Sequence, residues 1–357
     1  MASCKDYDFI RIVGTSSFSS TAIHFTKHRR SSVTKAIRVS DLDACSSECV
    51  QFLQRELWVC RALCHPNVLV HDIAFVEEEK LYVINEFMNY GACSDVMESH
   101  FKFGLPEVLI AYILSEVIHA LEYIHKLGYI HRGVKARHIL LSSNGRVKLS
   151  SNRSMISMLN EKQRRKNVHD FPKHDIYLLP WLSPEILQQN IKGYDTQSDI
   201  YSLGITTCEL ANGHAPFTDM PNARMLLEKL NGTKPCLLDQ TTVPPEPELI
   251  ETHDGQNSEA IQQHQITMSR TFSEDFHQLA SSCLNVDPSS RPTATQLLNH
   301  PFLQHTASGK ENFATLLLPL TPVLPETQKL SSPVDRMVAE ASGKLQSLNL
   351  SQYHWEF

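Results

Sequence analysis

Apolar and polar residues alternate in short runs through the first quarter of the chain. A period of two is typical of β-strands that bury one face, so these runs predict strands. The runs cover residues 9–13, 22–25, 33–39, 70–75 and 81–85. One amphipathic helix is expected among them, at about residues 46–63, because apolar residues recur there at spacings of three and four. These residues are Val50, Leu53, Leu57 and Cys60.

The chain becomes helical after a polar connection at residues 89–91. A continuous apolar face at helical spacing predicts a long core helix that ends before Gly128. This face consists of Ile110, Ile113, Leu114, Val117, Leu121 and Ile124. Further helices are predicted at 196–212, 223–230, 274–283 and 293–299. A small β-rich part followed by a larger helical part predicts an α+β fold with two lobes.

The same patterns predict how the chain is divided. We expect the small lobe over residues 7–88 and the helical lobe over residues 89–303. Residues of about 239–270 are polar, acidic and rich in glutamine, which predicts an exposed, irregular insertion that cannot bury a core of its own. The last segment, 304–357, is expected to be a flexible tail.

Composition excludes some classes of partner. The formal net charge of the 357-residue chain is -6, whereas a nucleic-acid-binding surface needs basic residues to neutralise phosphates. The chain has no run of about 18 apolar residues, and its first residues lack the apolar core of a secretory signal. We therefore expect no membrane segment, and a protein of the cytoplasm and also of the nucleus.

The nine cysteines are expected to be reduced thiols, mostly buried. Two pairs, Cys45 with Cys49 and Cys60 with Cys64, have helical spacing. They lack the Cys-x-x-Cys spacing and the histidines of a zinc site, so we expect no bound metal.

Four sequence landmarks occur in the order and spacing of a protein kinase. Each is a weak pattern alone, but chance rarely places all four in this order. They are residues 131–138 in the place of the catalytic loop, 183–185 in the place of Ala-Pro-Glu, 198–204, and 287–292. The retained residues are architectural. The resemblance implies that Glu185 pairs with Arg291 and that Asp199 holds the backbone of the catalytic loop.

The positions that perform phosphoryl transfer in a kinase hold other residues here. The catalytic base is replaced by Gly133, which has no side chain to accept a proton. Ser151 stands where the carboxylate of Asp-Phe-Gly would anchor Mg²⁺, and His138 replaces the asparagine that would hold a second ion. We expect no phosphoryl transfer, because the base and the metal ligands act as a unit.

The phosphate-binding side of the small lobe is altered as well. The strand lysine of a kinase is Arg38 here, which keeps the charge but not the geometry of an ammonium, and its predicted partner is Glu56. Lys35 is the alternative for this position, but a shift of three residues changes the face of a strand. The loop after Gly14 keeps one glycine where a kinase has three. Leu178 replaces a threonine that contacts the catalytic base.

Over nearly its whole length the chain resembles one pseudokinase family, the STE20-related (STRAD) adaptors. The resemblance rests on residues 128–132, 134–136, 138–140, 168–173, 179–185 and 208–214, and on the terminal Trp355, Glu356 and Phe357. It implies an inactive adaptor that binds ATP without Mg²⁺ and allosterically activates a tumour-suppressor serine/threonine kinase of the serine/threonine kinase 11 type. It also implies a helical-repeat scaffold of the calcium-binding-protein-39 type, which the three terminal residues would anchor.

The resemblance further implies where the nucleotide lies. Basic side chains would replace the metal ion at the phosphates, and the adenine would lie against the connection between the lobes. The implied contacts are Val13, Gly14, Arg38, Glu86, Met88, Lys135 and Arg153. A further cation, Arg137, either strengthens phosphate binding or faces solvent.

Two other interpretations stay open. A weakly active kinase would need an unconventional base, for which His138 and Asp170 are the candidates, since no small shift of alignment brings an aspartate into the catalytic loop. A scaffold that binds no nucleotide is the second. The basic run within residues 162–166 is either a surface for an acidic partner or a solvated face.

Overall fold

A five-stranded antiparallel sheet forms the small lobe in the computed structural model of the chain. The structure describes residues 3–16, 21–160, 163–171, 178–243, 257–304 and 317. The strands are β1 (Tyr7–Ser16), β2 (Thr21–His28), β3 (Thr34–Asp41), β4 (Ile73–Glu77) and β5 (Lys80–Glu86), in the order β1-β2-β3-β5-β4. The alternating pattern therefore predicted each strand, with bounds that differ by a few residues.

Helix α1 (Ser47–Ala62) follows β3 and packs on the sheet. It begins after Ser46, whose hydroxyl accepts the backbone N–H of Cys49 at 3.2 Å and so satisfies one free donor of the first turn. Its buried face includes Leu53 and Cys60, as predicted, but also the carboxylate of Glu56. A buried carboxylate requires a partner, which the functional site supplies.

The large lobe is built around two buried helices, α3 (Glu107–Lys126) and α5 (Gln197–Asn212). Before and between them lie β6 (Gly91–Ala92), α2 (Cys93–His100), β7 (Tyr129–Ile130), β8 (Ile139–Leu141), β9 (Val147–Leu149), β10 (Ile156–Ser157), β11 (Leu159–Asn160), β12 (Gln163–Arg164) and α4 (Pro184–Leu187). After them come α6 (Asn222–Leu230), α7 (Asn257–Met268), α8 (Glu274–Cys283), α9 (Ala294–Leu297) and α10 (Pro301–Gln304). In the described part of the chain, only α3 is long and apolar enough to span a membrane, and 61% of that stretch is buried, as in a core helix.

The expectation of an irregular insertion over 239–270 is wrong for its second half, where α7 forms. The ends of the segment are also anchored. The buried carboxylate of Asp239 accepts the backbone N–H of Phe272 at 2.8 Å and the ring N–H of His277 at 3.0 Å. These partners lie over 30 residues away in sequence, so composition alone could not reveal them. Residues 244–256 lie outside the described residues.

The expectation of a flexible tail is wrong at one residue. Leu317 is fully buried in the core of the large lobe, and its carbonyl accepts the hydroxyl of Tyr90 at 2.9 Å. The remainder of the tail, with Trp355, Glu356 and Phe357, lies outside the described residues.

A buried ion pair joins α4 to the segment between α8 and α9, as the resemblance to kinases implied. Arg291 donates through both terminal nitrogens to Glu185, at 2.6 and 2.8 Å. The guanidinium also donates to the carbonyls of Asn285, Val286 and Gln197. All three guanidinium nitrogens of Arg291 therefore donate to acceptors that only the folded lobe brings together.

Replacement of Glu185 by alanine should destabilise the large lobe. It leaves the Arg291 charge buried without its carboxylate, and breaking a buried pair in this way costs about 3–5 kcal/mol. Chemical denaturation followed by tryptophan fluorescence measures the change. Lys126→Ala, which removes the exposed partner of Glu122, is the matched control and should change stability by less than about 1 kcal/mol. Equal effects of the two substitutions would contradict the prediction.

Candidate functional site

The buried carboxylate on α1 pairs with the arginine predicted for it. Arg38 on β3 donates to the two carboxylate oxygens of Glu56 at 3.0 and 2.7 Å. Burial acts to raise the pKa of Glu56, but the charge and hydrogen bonds of Arg38 outweigh it and hold the pKa below its ordinary value. Lys35 pairs instead with Asp72 at 2.7 Å. Arg38, and not Lys35, is therefore the β3 residue that pairs with the carboxylate of α1.

The catalytic-loop backbone is fixed by Asp199 at the start of α5, as predicted. Its carboxylate accepts the backbone N–H groups of His131 and Arg132, both at 2.7 Å, and the ring N–H of His125 at 2.8 Å. Burial acts to raise the pKa of Asp199, but these bonds and the neighbouring histidines lower it. Arg132 is held at a positive φ of 62°, a strained conformation that these bonds stabilise.

Gly133, at the position predicted for the catalytic base, has no side chain. His138 donates from Nδ1 to the carbonyl of Gly133 at 2.6 Å. Burial, aided by the charge of Lys135, lowers the pKa of His138 well below its usual value, which makes it a weak base. A Cβ on Gly133 would lie 3.4 Å from the His138 ring, an ordinary contact, so packing does not require glycine here.

At the position predicted for the aspartate of Asp-Phe-Gly, the chain has a serine, Ser151. Ser151 takes a left-handed conformation with φ 72° and offers only a hydroxyl. The next residue, Asn152, is buried and donates to the Leu69 carbonyl at 2.6 Å and to the Cys60 sulfur at 3.2 Å. Among the described residues, no three histidine, cysteine or acidic side chains form a group suited to a metal ion.

Three basic residues lie near Glu56 or the catalytic loop. Arg38 pairs with Glu56, the charge of Arg153 lowers the pKa of both Glu56 and His138, and the charge of Lys135 lowers the pKa of His138. The Lys135 ammonium also lies 5.0 Å from the ring centre of Trp181. Positive charge is thus present on both sides of the boundary between the small lobe and the catalytic loop.

The connection between the lobes runs from β5 to β6. The Glu86 carboxylate pairs with Arg146 and, at 3.3 Å, with Lys148, so its charge is engaged within the protein. Met88 is buried, and its carbonyl accepts the N–H of Gly91 at 3.0 Å. Val13 and Gly14 are half-buried on β1.

Asp170, the second candidate for an unconventional base, is engaged elsewhere. Its carboxylate lies 3.6 Å from the Arg132 guanidinium and 3.8 Å from that of Arg55 on α1. Its carbonyl accepts both Arg132 and the Tyr194 hydroxyl. Asp170 therefore links α1 to the catalytic loop, which is a structural use of its charge.

The structure also shows whether three other features named in the sequence analysis are buried or exposed. Arg137 is exposed, so of its two alternatives the structure favours the solvent-facing one. Leu178 is buried against an apolar cluster of the large lobe. Arg164 and its basic neighbours at 165 and 166 are exposed, and Lys162 lies outside the described residues.

The sequence alone did not single out a polar group behind Glu56. His71 lies 3.6 Å from the Glu56 carboxylate and contacts the amide of Asn85 at 3.0 Å. Both residues are polar positions in runs that otherwise read as buried strand. That interruption of the apolar pattern was the available signal.

Comparison with known proteins identifies relatives that match most of the chain. The protein kinase domain family matches residues 7–303. STE20-related kinase adapter protein alpha of Gallus gallus is 45% identical over 332 residues, which cover 89% of this chain and 85% of that relative. The alpha protein of Homo sapiens is 43% identical over 89% of this chain and 77% of its own. The beta protein of Homo sapiens is 34% identical over 86% and 79%, respectively.

Restoring the catalytic aspartate alone should not restore transfer. At Gly133 an added Cβ makes only ordinary contacts, but in Gly133→Asp the positions predicted for both metal ligands would still hold Ser151 and His138. We expect transfer of radiolabelled phosphate to a generic protein substrate to stay at background, with the triple variant that adds Ser151→Asp and His138→Asn as the comparison. Clear transfer by the single variant would show that the metal ligands are supplied in another way.

Proposed function

The chain belongs to the STE20-related kinase adapter family and carries a protein kinase domain, and on this premise we propose that it is a catalytically inactive adaptor that binds ATP without Mg²⁺. One observation carries the proposal most directly. Arg38 is held by Glu56, the charges of Lys135 and Arg153 act on His138, and Ser151 and His138 stand at the positions predicted for the metal ligands.

Fixed cations can take the place of a divalent ion at a triphosphate. Arg38 presents a planar guanidinium, which suits bidentate contact with phosphate oxygens, and Lys135 supplies a compact charge. Charge-assisted hydrogen bonds of this kind are about twice as strong as neutral ones. The adenine would lie beside Glu86 and Met88, against Val13 and Gly14.

We propose that the bound nucleotide stabilises the conformation that a client kinase recognises. In support, α1 is already joined to β3 by the pair of Arg38 and Glu56, and to the catalytic loop through Asp170. Both links form without a phosphorylated residue. A ligand shifts such an equilibrium only by its differential affinity for the two states, so ATP would add to an arrangement that the chain already favours.

The client would be a serine/threonine kinase of the serine/threonine kinase 11 type, and the third member a calcium-binding-protein-39-type scaffold. The names of the kinase adapter relatives support a kinase partner in general. An apolar cavity of about 300 Å³ between α4 and α6, lined by Leu182, Ile186, Met225 and Leu226, offers a place for an apolar side chain of such a partner. The terminal Trp355 and Phe357 are the proposed anchors for the scaffold, because large aromatic side chains dominate many interfaces.

ATP should raise the thermal stability of the protein in excess chelator. At 100 times its Kd a ligand adds about 2.7 kcal/mol to the unfolding free energy, and differential scanning fluorimetry detects the shift. Arg38→Met should reduce the shift strongly, because it removes a phosphate contact. Lys35→Met, on the same strand but paired with Asp72, is the matched control and should keep it. If wild-type protein shows no shift with or without Mg²⁺, a scaffold that binds no nucleotide is the correct interpretation.

Deletion of Trp355, Glu356 and Phe357 should weaken binding to a purified calcium-binding-protein-39-type scaffold. We expect a loss of at least tenfold in affinity by isothermal titration calorimetry, about what one aromatic anchor contributes. The melting temperature and the ATP shift should be unchanged, which separates loss of the anchor from loss of the fold. Unaltered affinity for the scaffold would refute the assignment of these residues.

A further inference from the structure

Unpartnered polar atoms concentrate around Glu56. Within the described residues, four buried side-chain nitrogen or oxygen atoms have no hydrogen-bond partner. Three of them, Arg38 Nε, His71 Nε2 and Asn152 Oδ1, belong to residues of this one region. Buried polar groups are nearly always satisfied in proteins, so a local excess marks a place where polarity serves something other than packing.

The protonation of His71 follows from its neighbours. The Asn85 amide nitrogen donates to the Val70 carbonyl at 2.9 Å, which can only accept, and this fixes the orientation of the amide. The same nitrogen lies 3.0 Å from His71 Nδ1, so Nδ1 is the acceptor. The ring proton of neutral His71 is therefore on Nε2.

That proton points towards the carboxylate that holds Arg38. His71 Nε2 lies 3.6 Å from Glu56 Oε1, longer than a hydrogen bond but close enough for a favourable contact of the N–H dipole with the charge. The Glu56 side chain is only 5% exposed, so water does not screen the contact effectively. Glu56 is thus held from two sides, by the Arg38 guanidinium and by the His71 ring.

We propose that His71 is a positioning residue for nucleotide phosphates, acting through Glu56 on Arg38, with Asn85 setting its tautomer. This inference rests on the proposed nucleotide binding. Loss of the His71 contact would leave Glu56 held from one side only. The Arg38 guanidinium would then sample orientations that do not face the phosphates.

The arrangement is sensitive to acid. The groups that act on His71 are Glu56 from α1, Arg38 from β3, Asn85 from β5 and the adjacent Asp72. Burial lowers the pKa of His71, an effect that the Glu56 charge opposes and the Arg38 charge reinforces. A second proton, on Nδ1, would face the donor nitrogen of Asn85, so Asn85 would have to turn. Asn85 directly precedes Glu86 in the connection between the lobes.

The direction of the pH effect is therefore fixed. Because the folded-state pKa of His71 lies below its unfolded value near 6.5, the unfolded chain takes up the proton first. The stability from neutral His71 is present above that value and is lost as the pH falls. Affinity for ATP should fall in the same direction, because the imidazolium would compete with Arg38 for the Glu56 carboxylate and turn Asn85.

Two substitutions test the role at neutral pH. His71→Leu removes the N–H, whereas His71→Gln retains an amide N–H and does not titrate. In calorimetry with excess chelator at pH 7.5, we expect His71→Leu to bind ATP about tenfold more weakly, the loss expected for one contact to a charged group. Its affinity for adenosine should be unchanged, and His71→Gln should resemble wild type. Equal losses for ATP and adenosine would mean a merely structural role and would overturn the proposal.

The pH profile gives a second test. From pH 7.5 down to the onset of acid unfolding, ATP affinity should fall more steeply for wild type than for His71→Gln, because all other titrating groups are common to both proteins. Parallel profiles would count against the proposal.

A ligand-free measurement tests the tautomer independently. The ¹⁵N chemical shifts of the His71 ring should show the Nε2–H form at pH 7.5, and the Nδ1–H form would overturn the inference. Wild-type protein that binds neither ATP nor adenosine overturns both this inference and the proposed function. Wild-type protein that binds both ligands, with the ATP affinity of His71→Leu unchanged, overturns the inference alone.

Discussion

The organisation of the small lobe depends on one buried carboxylate. Glu56 lies on the face of α1 that packs against the sheet, where an unpaired charge would cost several kcal/mol. The Arg38 guanidinium offsets that cost with two hydrogen bonds, and it can do so only when α1 lies against β3. A single pair therefore determines both the position of the helix and the direction in which the cation points.

In the large lobe, too, buried charged side chains hold separate segments together through specific partners. Asp199 holds the catalytic loop, and Arg291 with Glu185 ties α4 to the region after α8. Removing any of these would leave a buried charge or donor unpaired. Gly133 carries no such penalty, because an added Cβ would make only ordinary contacts there. Packing therefore requires the charged pairs of this lobe but does not by itself require a glycine at position 133.

The limits of prediction from the sequence have the same physical origin. The strands and long helices were predictable because burial of one face imposes a period on the sequence. The pair of Arg38 and Glu56 was predictable because Arg38 stands at the position of the strand lysine of a kinase and Glu56 lies on the amphipathic helix that follows. The burial of Leu317 and the anchoring of Asp239 were not, since each depends on partners far along the chain. The role of His71 was hidden for the same reason.

The proposed binding of ATP without a metal ion is consistent with the residues at positions 151 and 153. In a kinase, an aspartate near the phosphates is tolerated because the metal lies between the two negative groups. Without the ion, a carboxylate at position 151 would repel a triphosphate at close range in a partly desolvated site. Ser151 avoids that repulsion, and Arg153 two residues later supplies charge of the opposite sign. Under the proposed mode of binding, nucleotide affinity would depend on how firmly the fold holds its cations, which for Arg38 means the buried carboxylate of Glu56.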